Sequence, residues 1–171
     1  MANTAIVVLL LSALVWLIFV YPETIFYVGF ATTPSPPGAV EKIDLQLEPG
    51  VSTVVVRFPS NDQVMCEGDL YMPSSNSKYA NDKGEVPGIV MAHGIGSTRD
   101  MGLWKYARQF VNEGFAVLVF DYRTYGTSDG TPRHWLSPSR HVEDFLSALK
   151  YMQSRKDVDA TRMGLWGTRY E

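Results

Sequence analysis

Cysteine and net charge are both scarce in this sequence. The one cysteine, Cys66, excludes an internal disulfide and a metal site built on thiolates, and it is expected to be a small buried core residue. The 15 lysines and arginines against 18 aspartates and glutamates give a formal charge of −3, without the basic excess typical of nucleic-acid-binding proteins. We therefore expect no nucleic-acid partner. A length of 171 residues with 46% hydrophobic content is typical of one globular domain with a short appendage.

Residues 5–21 contain no charged residue. The run is at the lower limit of the about 17 to 25 residues that cross a bilayer as a helix. The sequence therefore predicts an N-terminal membrane anchor over residues 1–30 and a single-pass membrane protein. Two alternatives stay open: a secretory signal that is removed, which would give a secreted protein, and a buried helix of a soluble protein. Because the first basic residue is Lys42, charge does not assign which side of the membrane the domain faces.

Residues 31–40 are rich in proline and predict a semi-rigid linker to a domain that covers residues 41–171. Apolar and polar residues alternate from residue 41, and β-branched residues follow the first turn. Three strands are predicted, at residues 43–47, 51–58 and 64–72. We expect them to form an antiparallel start, with Gly68 as a candidate β-bulge.

After Pro87 the pattern becomes that of an α/β fold. Residues 88–92 and 115–120 are apolar without alternation, as in strands that are covered on both faces. A helix capped by Asp100 is predicted between them, and a second helix begins after Ser137. The apolar residues expected to face the core from the second helix are Val142, Phe145, Leu149 and Met152. Its charged residues, expected on a solvated face, are Arg140, Glu143, Asp144 and Lys150. A last buried strand is predicted over residues 162–166.

The glycine-containing loop before the first of these helices fits two ligand chemistries. One is dinucleotide binding, in which G-x-G-x-x-G presents a pyrophosphate to a helix N-terminus and an acid about 20 residues later binds the ribose. Gly94 and Gly96 begin such a fingerprint, but Arg99 stands at the third glycine and Asp121 comes late. The other chemistry is an oxyanion hole, which needs two backbone N–H donors for acyl transfer. For that chemistry the N–H of Ile95 is the candidate first donor.

The loop after the next strand favours the oxyanion hole. Residues 121–130, Asp-Tyr-Arg-Thr-Tyr-Gly-Thr-Ser-Asp-Gly, resemble the D-x-R-x-x-G-x-S-x-G segment that follows the fourth strand in the α/β-hydrolase superfamily. With His-Gly-Ile-Gly at 93–96 and Gly-Leu-Trp-Gly-Thr at 164–168, the order and spacing make this resemblance specific. Stretches at 131–138 and 159–162 are similar to the Xaa-Pro dipeptidyl-peptidase-like and dienelactone-hydrolase-like branch. The motif residues are His93, Gly94, Gly96, Asp121, Arg123, Gly126, Ser128, Gly130 and Gly167.

The resemblance implies a serine nucleophile at the apex of a G-x-S-x-G turn after the fifth strand, with the catalytic acid and histidine further along the chain. In this sequence the frame falls on residues 167–171. Arg169 stands at the nucleophile position and Glu171 at the second glycine, so no intact catalytic residue is identified. The N–H of Tyr170 is the candidate second oxyanion donor. Three histidines precede this turn and are not expected to be the catalytic histidine, namely His93, His134 and His141.

These observations give three hypotheses for function. In the first, the chain is a truncated, membrane-anchored and inactive relative of enzymes that hydrolyse ester or peptide bonds through a serine. In the second, it is a fragment of a longer, active serine hydrolase. In the third, it is a pseudoenzyme that binds a partner protein, or a second copy, through its last strand, which we expect to be an unpaired apolar edge. No metal or cofactor is expected, and the substrate is not encoded in these motifs.

Overall fold

The computed structural model describes residues 47–168. In chain order the elements are β1 (Ser52–Pro59), β2 (Met65–Met72), β3 (Val86–Ala92), α1 (Leu103–Glu113), β4 (Ala116–Asp121), α2 (Pro138–Gln153) and β5 (Val158–Gly167). The strands form one five-stranded sheet in the order β1-β2-β4-β3-β5. The pairs β1–β2 and β2–β4 are antiparallel, whereas β4–β3 and β3–β5 are parallel. The predicted change from an antiparallel start to a parallel α/β arrangement is therefore present.

The continuous apolar runs of β3 and β4 correspond to the centre of the sheet. Every residue of both strands is buried, because α1 covers one face and α2 the other. On the α2 side, Ala148 and Met152 pack with core residues of β2, β3 and β4. On the α1 side, Leu103, Ala107 and Val111 do the same. Each apolar face of the sheet is thus covered by one amphipathic helix, as α/β domains require.

Strand β2 carries two residues for which the sequence made specific predictions. Cys66 is fully buried, as predicted, and burial raises the pKa of its thiol, so the residue packs as a hydrophobic side chain. The prediction of a bulge at Gly68 is wrong, because Gly68 pairs regularly with Val56 and with Phe120. A Cβ at Gly68 would lie 2.7 Å from the carbonyl oxygen of Val119. Glycine is needed at this position because the neighbouring strand passes so close.

The two helices begin and end on different signals. Asp100 does not cap α1: the N-cap is Gly102 in the left-handed conformation, and it makes no side-chain bond to the helix. The helix ends as predicted, since Gly114 adopts φ +106° and its N–H bonds the carbonyl oxygens of Phe110 and Val111. Helix α2 begins after Ser137 as predicted, although the serine hydroxyl makes no capping bond to a backbone N–H and instead lies 3.2 Å from the hydroxyl of Ser139.

The predicted buried face of α2 needs correction. Val142, expected in the core, is 59% exposed, whereas Asp144, expected in solvent, is fully buried. The buried residues of α2 are His141, Asp144, Ala148 and Met152. These positions have helical spacing, but two of them are polar, and a pattern search that counts only apolar residues passes over them.

The predicted fold class also needs correction. We expected one transmembrane helix in front of the sheet, but none of the helices between residues 47 and 168 has the length and apolar character to span a bilayer. The predicted anchor at residues 5–21 lies outside the described residues, so the structure gives the transmembrane helix no support. Most of the predicted strand at residues 43–47 also lies outside them, and Leu47 is not in a strand. The observed fold is the mixed five-stranded sheet with its two helices.

Candidate active site

Two segments of the chain begin side by side at the carboxyl ends of the parallel strands. Ala92, the last residue of β3, pairs with Gly167, the last residue of β5, in parallel register. Because the two strands run in the same direction, the loop after Ala92 and the residues after Gly167 begin next to each other. In open α/β sheets this edge, at the carboxyl ends of the strands, is where ligands bind. Arg169, Tyr170 and Glu171 lie outside the described residues, and the roles assigned to them stay predictions.

The β3–α1 loop (residues 93–102) has the geometry expected of an oxyanion donor. Its first turn is closed by the carbonyl oxygen of Gly94, which accepts bonds from the N–H of Ser97 and from Nδ1 of His93, both at 3.1 Å. Gly96 adopts φ +70°, a conformation that favours glycine. The N–H of Ile95 donates to no acceptor among residues 47–168, and the residue is 51% exposed. An N–H without another acceptor is what the tetrahedral intermediate of acyl transfer requires.

His93 holds the start of this loop by packing. Its ring is buried. The centroid of the ring lies 4.9 Å from the ring centroid of Tyr122 and 5.5 Å from that of Tyr125. Burial lowers the pKa of His93, so the imidazole is neutral near pH 7. Its Nε2 is 3.6 Å from Oδ1 of Asp121, which is too long for a hydrogen bond. The structure therefore agrees with a structural role for His93.

Asp121 at the end of β4 is buried and fully engaged. Its carboxylate accepts the backbone N–H of Arg99 at 2.7 Å, the Nη1 of Arg99 at 2.6 Å and the N–H of Thr127 at 3.4 Å. Asp121 is 1% exposed, so its carboxylate is not accessible to a ribose hydroxyl. The geometry therefore argues against the dinucleotide interpretation, which needs this acid.

The loop after β4 is a compact turn whose motif residues are structural. The hydroxyl of Ser128 donates to the carbonyl oxygen of Asp121 at 2.6 Å and accepts the N–H of Glu67 at 2.8 Å. Ser128 is 2% exposed, so it is a turn former and is not placed to act as a nucleophile. Gly126 and Gly130 adopt φ +48° and +115°. This loop shapes the edge of the site rather than supplying a reacting group.

Arg123, the remaining motif residue of this loop, forms a buried ion-pair network that sequence reasoning did not find. Its Nε donates to Oδ1 of Asp144 at 2.7 Å, and its backbone N–H donates to Oδ2 of the same carboxylate at 3.0 Å. Further ion pairs join its guanidinium to Asp62 at 2.7 Å and to Glu143 at 2.6 Å. The network connects the β1–β2 turn, the loop after β4 and α2. The one available signal was the helical spacing of Asp144 with Ala148.

The comparisons with known proteins agree with this geometry. A family model described as serine aminopeptidase, S33, matches residues 86–167. The quorum-quenching protein AidA of Acinetobacter baumannii is 44% identical over 115 residues, covering 67% of this chain and 35% of that protein. Thiohydrolase aneE of Aspergillus aculeatus is 32% identical over 112 residues, covering 66% of this chain and 32% of that protein. The α/β hydrolase GrgF from Penicillium shares the fold, with a TM-score of 0.59 at 24% identity, covering 68% of this chain and 37% of that one.

The chain spans about a third of the length of the curated relatives it matches. The matched region contains the β3–α1 loop, the turn after β4 and the whole of β5. The motifs that suggested the resemblance thus lie together at one sheet edge, in the strand order and loop geometry just described. From the sheet, its two loops and these matches, we conclude that the chain belongs to the α/β-hydrolase superfamily.

Proposed function

We propose that this chain forms the oxyanion side of an acyl-transfer site for ester or thioester carbonyls, and that Arg169 leaves the site without a serine nucleophile. The observation that carries the proposal is the pairing of Ala92 with Gly167. Because these two residues end neighbouring strands, the loop that contains Ile95 and the segment that contains residue 169 begin next to each other at the carboxyl ends of the strands.

The chemistry follows from what an acyl carbonyl needs. When a nucleophile adds to the carbonyl carbon, negative charge develops on the oxygen and is stabilised by N–H donors that are already in position. The Ile95 N–H is unpaired in the described part of the chain and would be one donor. The N–H of Tyr170, the residue after the nucleophile position, would be the second. One relative is a thiohydrolase, which favours a thioester among the carbonyl substrates.

Arginine at position 169 changes what such a site can do. It has no hydroxyl, and its guanidinium stays protonated at any physiological pH. We therefore expect no acyl-enzyme at this position. Enzymes that have lost their triad retain about 10³- to 10⁴-fold acceleration over water from the oxyanion hole and substrate binding. We expect activity toward an activated ester to be no higher than that residual level.

A fluorophosphonate probe with peptide mass spectrometry tests the first part of the proposal. The full chain should show no phosphonyl adduct in the peptide that contains residues 167–171. The double variant Arg169→Ser, Glu171→Gly restores a G-x-S-x-G frame. Because the resemblance places the catalytic histidine further along the chain, both proteins are labelled with imidazole added as the general base, and the double variant should then be labelled faster than the native chain. An adduct on the native chain in this peptide, or equal labelling of the two proteins, would contradict the proposal.

The donor role of Ile95 is tested in the background of that double variant. Ile95→Pro removes the N–H, whereas Ile95→Val keeps the N–H and most of the side-chain volume. Loss of one oxyanion donor typically costs about 10²- to 10³-fold in rate, so the proline variant should label roughly 10²-fold more slowly than the valine variant. Equal labelling rates for these two variants would mean that the Ile95 N–H does not contact the developing oxyanion.

A second candidate function, association through β5, is favoured by a separate observation. One edge of β5 pairs with β3, and in the described part of the chain no strand pairs with its other edge. Leu165 on this strand is 62% exposed. A long unpaired strand with an exposed apolar residue is a template for pairing with another chain. We therefore propose β5 as the surface through which the chain meets a protein partner or a second copy.

A further inference from the structure

The β3–α1 loop is fixed at its first residue but has few contacts further along. His93 is buried, whereas Ile95, Gly96, Asp100 and Met101 are exposed. Helix α1 does not begin until Leu103, and its N-cap makes no side-chain bond. An N–H donor can stabilise an oxyanion only when its position is held before the reaction, because reorganisation would cost part of the gain. The far end of the loop therefore needs an anchor.

Arg99 supplies such an anchor through both its main chain and its side chain. Its backbone N–H and its Nη1 donate to the two oxygens of Asp121, at 2.7 and 2.6 Å. Its Nε donates to Asp69 at 3.0 Å and its Nη2 to Glu67 at 3.0 Å. The side chain is 10% exposed. A planar guanidinium with donors in a fixed fork suits simultaneous pairing with several carboxylates.

The three carboxylates stand on the sheet itself. Glu67 and Asp69 belong to β2, and Asp121 ends β4, where it pairs in register with Glu67. Burial by itself lowers the pKa of Arg99, but the carboxylates of Asp121 and Asp69 outweigh that effect and the pKa is raised. The guanidinium is therefore permanently charged. Arg99 thus fixes the position of the loop relative to strands β2 and β4.

We infer that Arg99 is a positioning residue for the oxyanion donor: by clamping the loop to Glu67, Asp69 and Asp121, it sets where the Ile95 N–H lies four residues earlier. This inference rests on the proposed function for its chemical meaning. The clamp itself is a statement about the loop, and it can be tested without any reaction.

Hydrogen exchange followed by mass spectrometry on the full chain tests the clamp. The loop amides of Ser97, Arg99 and Met101 are hydrogen-bonded and report on loop opening. Arg99→Gln should speed exchange in the peptide that spans residues 93–101 by about tenfold or more, the change expected when a charge-assisted hydrogen bond is lost. Peptides from β3 and β4 should exchange at the native rate. Arg99→Lys, which keeps the charge and loses the fork, should lie between the two.

Arg57→Gln is the matched control, because Arg57 pairs with Glu67 and Asp129 from the β1 side and does not contact the loop. Its loop exchange should equal that of the native chain. Unchanged loop exchange in Arg99→Gln would overturn the inference, and so would equal acceleration of every peptide, which indicates a general stabilising role. If Arg99→Gln does not fold, Arg99→Lys decides between the same outcomes. A fluorophosphonate adduct at residues 167–171 of the native chain would contradict the proposed function but would not change the hydrogen-exchange result. Failure of the proposed function can therefore be distinguished from failure of the Arg99 inference.

Discussion

Gly126 and Asp121 approach so closely that no side chain fits between them. A Cβ at Gly126 would overlap Oδ2 of Asp121, and the residue has φ +48°. Asp121 also accepts two hydrogen bonds from Arg99 of the β3–α1 loop. Glycine at position 126 therefore leaves room for the carboxylate in the position that makes these bonds. The sequence motif marked both residues, but the reason for the glycine became evident only when its contact partner was known.

Replacing Gly126 with alanine should therefore cost more than the usual penalty for a left-handed residue. The conformation alone costs about 1 to 2 kcal/mol, and forcing a methyl group into a packed site adds about 1 to 3 kcal/mol. Gly84→Ala is the matched control, since Gly84 has φ +79° and nothing lies within 4 Å of its added Cβ. Urea unfolding should show a larger loss of the free energy of unfolding in Gly126→Ala than in Gly84→Ala. Equal losses would mean that Asp121 moves aside freely.

At the scale of elements, the sequence predicted the positions of strands and loops better than the faces of the second helix. The runs of β3 and β4 are identifiable because both faces are covered, so every residue is apolar. The buried face of α2 was wrong because Asp144 faces the interior to pair with Arg123, which lies 21 residues away in the chain. A local pattern does not contain that partner. The position of the β3–α1 loop was predictable for the opposite reason, because its glycines and its place after a strand are local features.

Strand β5 differs from the central strands in its exposure, and the prediction that it is buried over residues 162–166 is wrong, because none of these five residues is buried. Val158 is its one fully buried residue in the described range, and Leu165 is 62% exposed. Its inner edge pairs with β3 over most of its length. Because unpaired strand edges with apolar residues promote pairing between chains, we expect the protein to associate through β5 at high concentration.

The variant Leu165→Lys tests that expectation, since a lysine on an edge strand opposes pairing. Sedimentation velocity over a range of concentrations should show a lower associated fraction for this variant than for the native chain. Met101→Lys is the control: Met101 is 68% exposed but lies on the β3–α1 loop. Both variants keep the same residues 1–46, so any difference reports on β5. A native chain that is monomeric at every concentration would refute the expectation.

At the scale of the whole molecule, the two cores share one sheet, and a buried histidine lies at the edge of the α2 core. His141 stacks on Tyr122, with ring centroids 4.1 Å apart, and its Nε2 has no hydrogen-bond partner among residues 47–168. Burial, with the nearby His93, Arg123 and Arg140, lowers the pKa of His141 from 6.5 to about 4.

The lowered pKa of His141 makes the stability of the fold depend on pH in a defined direction. Between pH 6.5 and pH 4 the unfolded chain binds a proton at His141 that the folded chain does not, so stability falls as the pH falls through this window. The expected loss attributable to this one residue is about 2 kcal/mol between pH 8 and pH 5. Burial lowers the pKa of His93 as well, so His93 contributes in the same direction.

The variant His141→Phe isolates this contribution, because phenylalanine keeps the stacking on Tyr122 and does not titrate. At pH 8 its free energy of unfolding should be close to that of the native chain. At pH 5 it should exceed the native value by about 2 kcal/mol, measured by urea unfolding at each pH. If His141→Phe loses stability between pH 8 and pH 5 as steeply as the native chain does, then the acid sensitivity arises elsewhere, with His93 beneath the β3–α1 loop as the next group to replace.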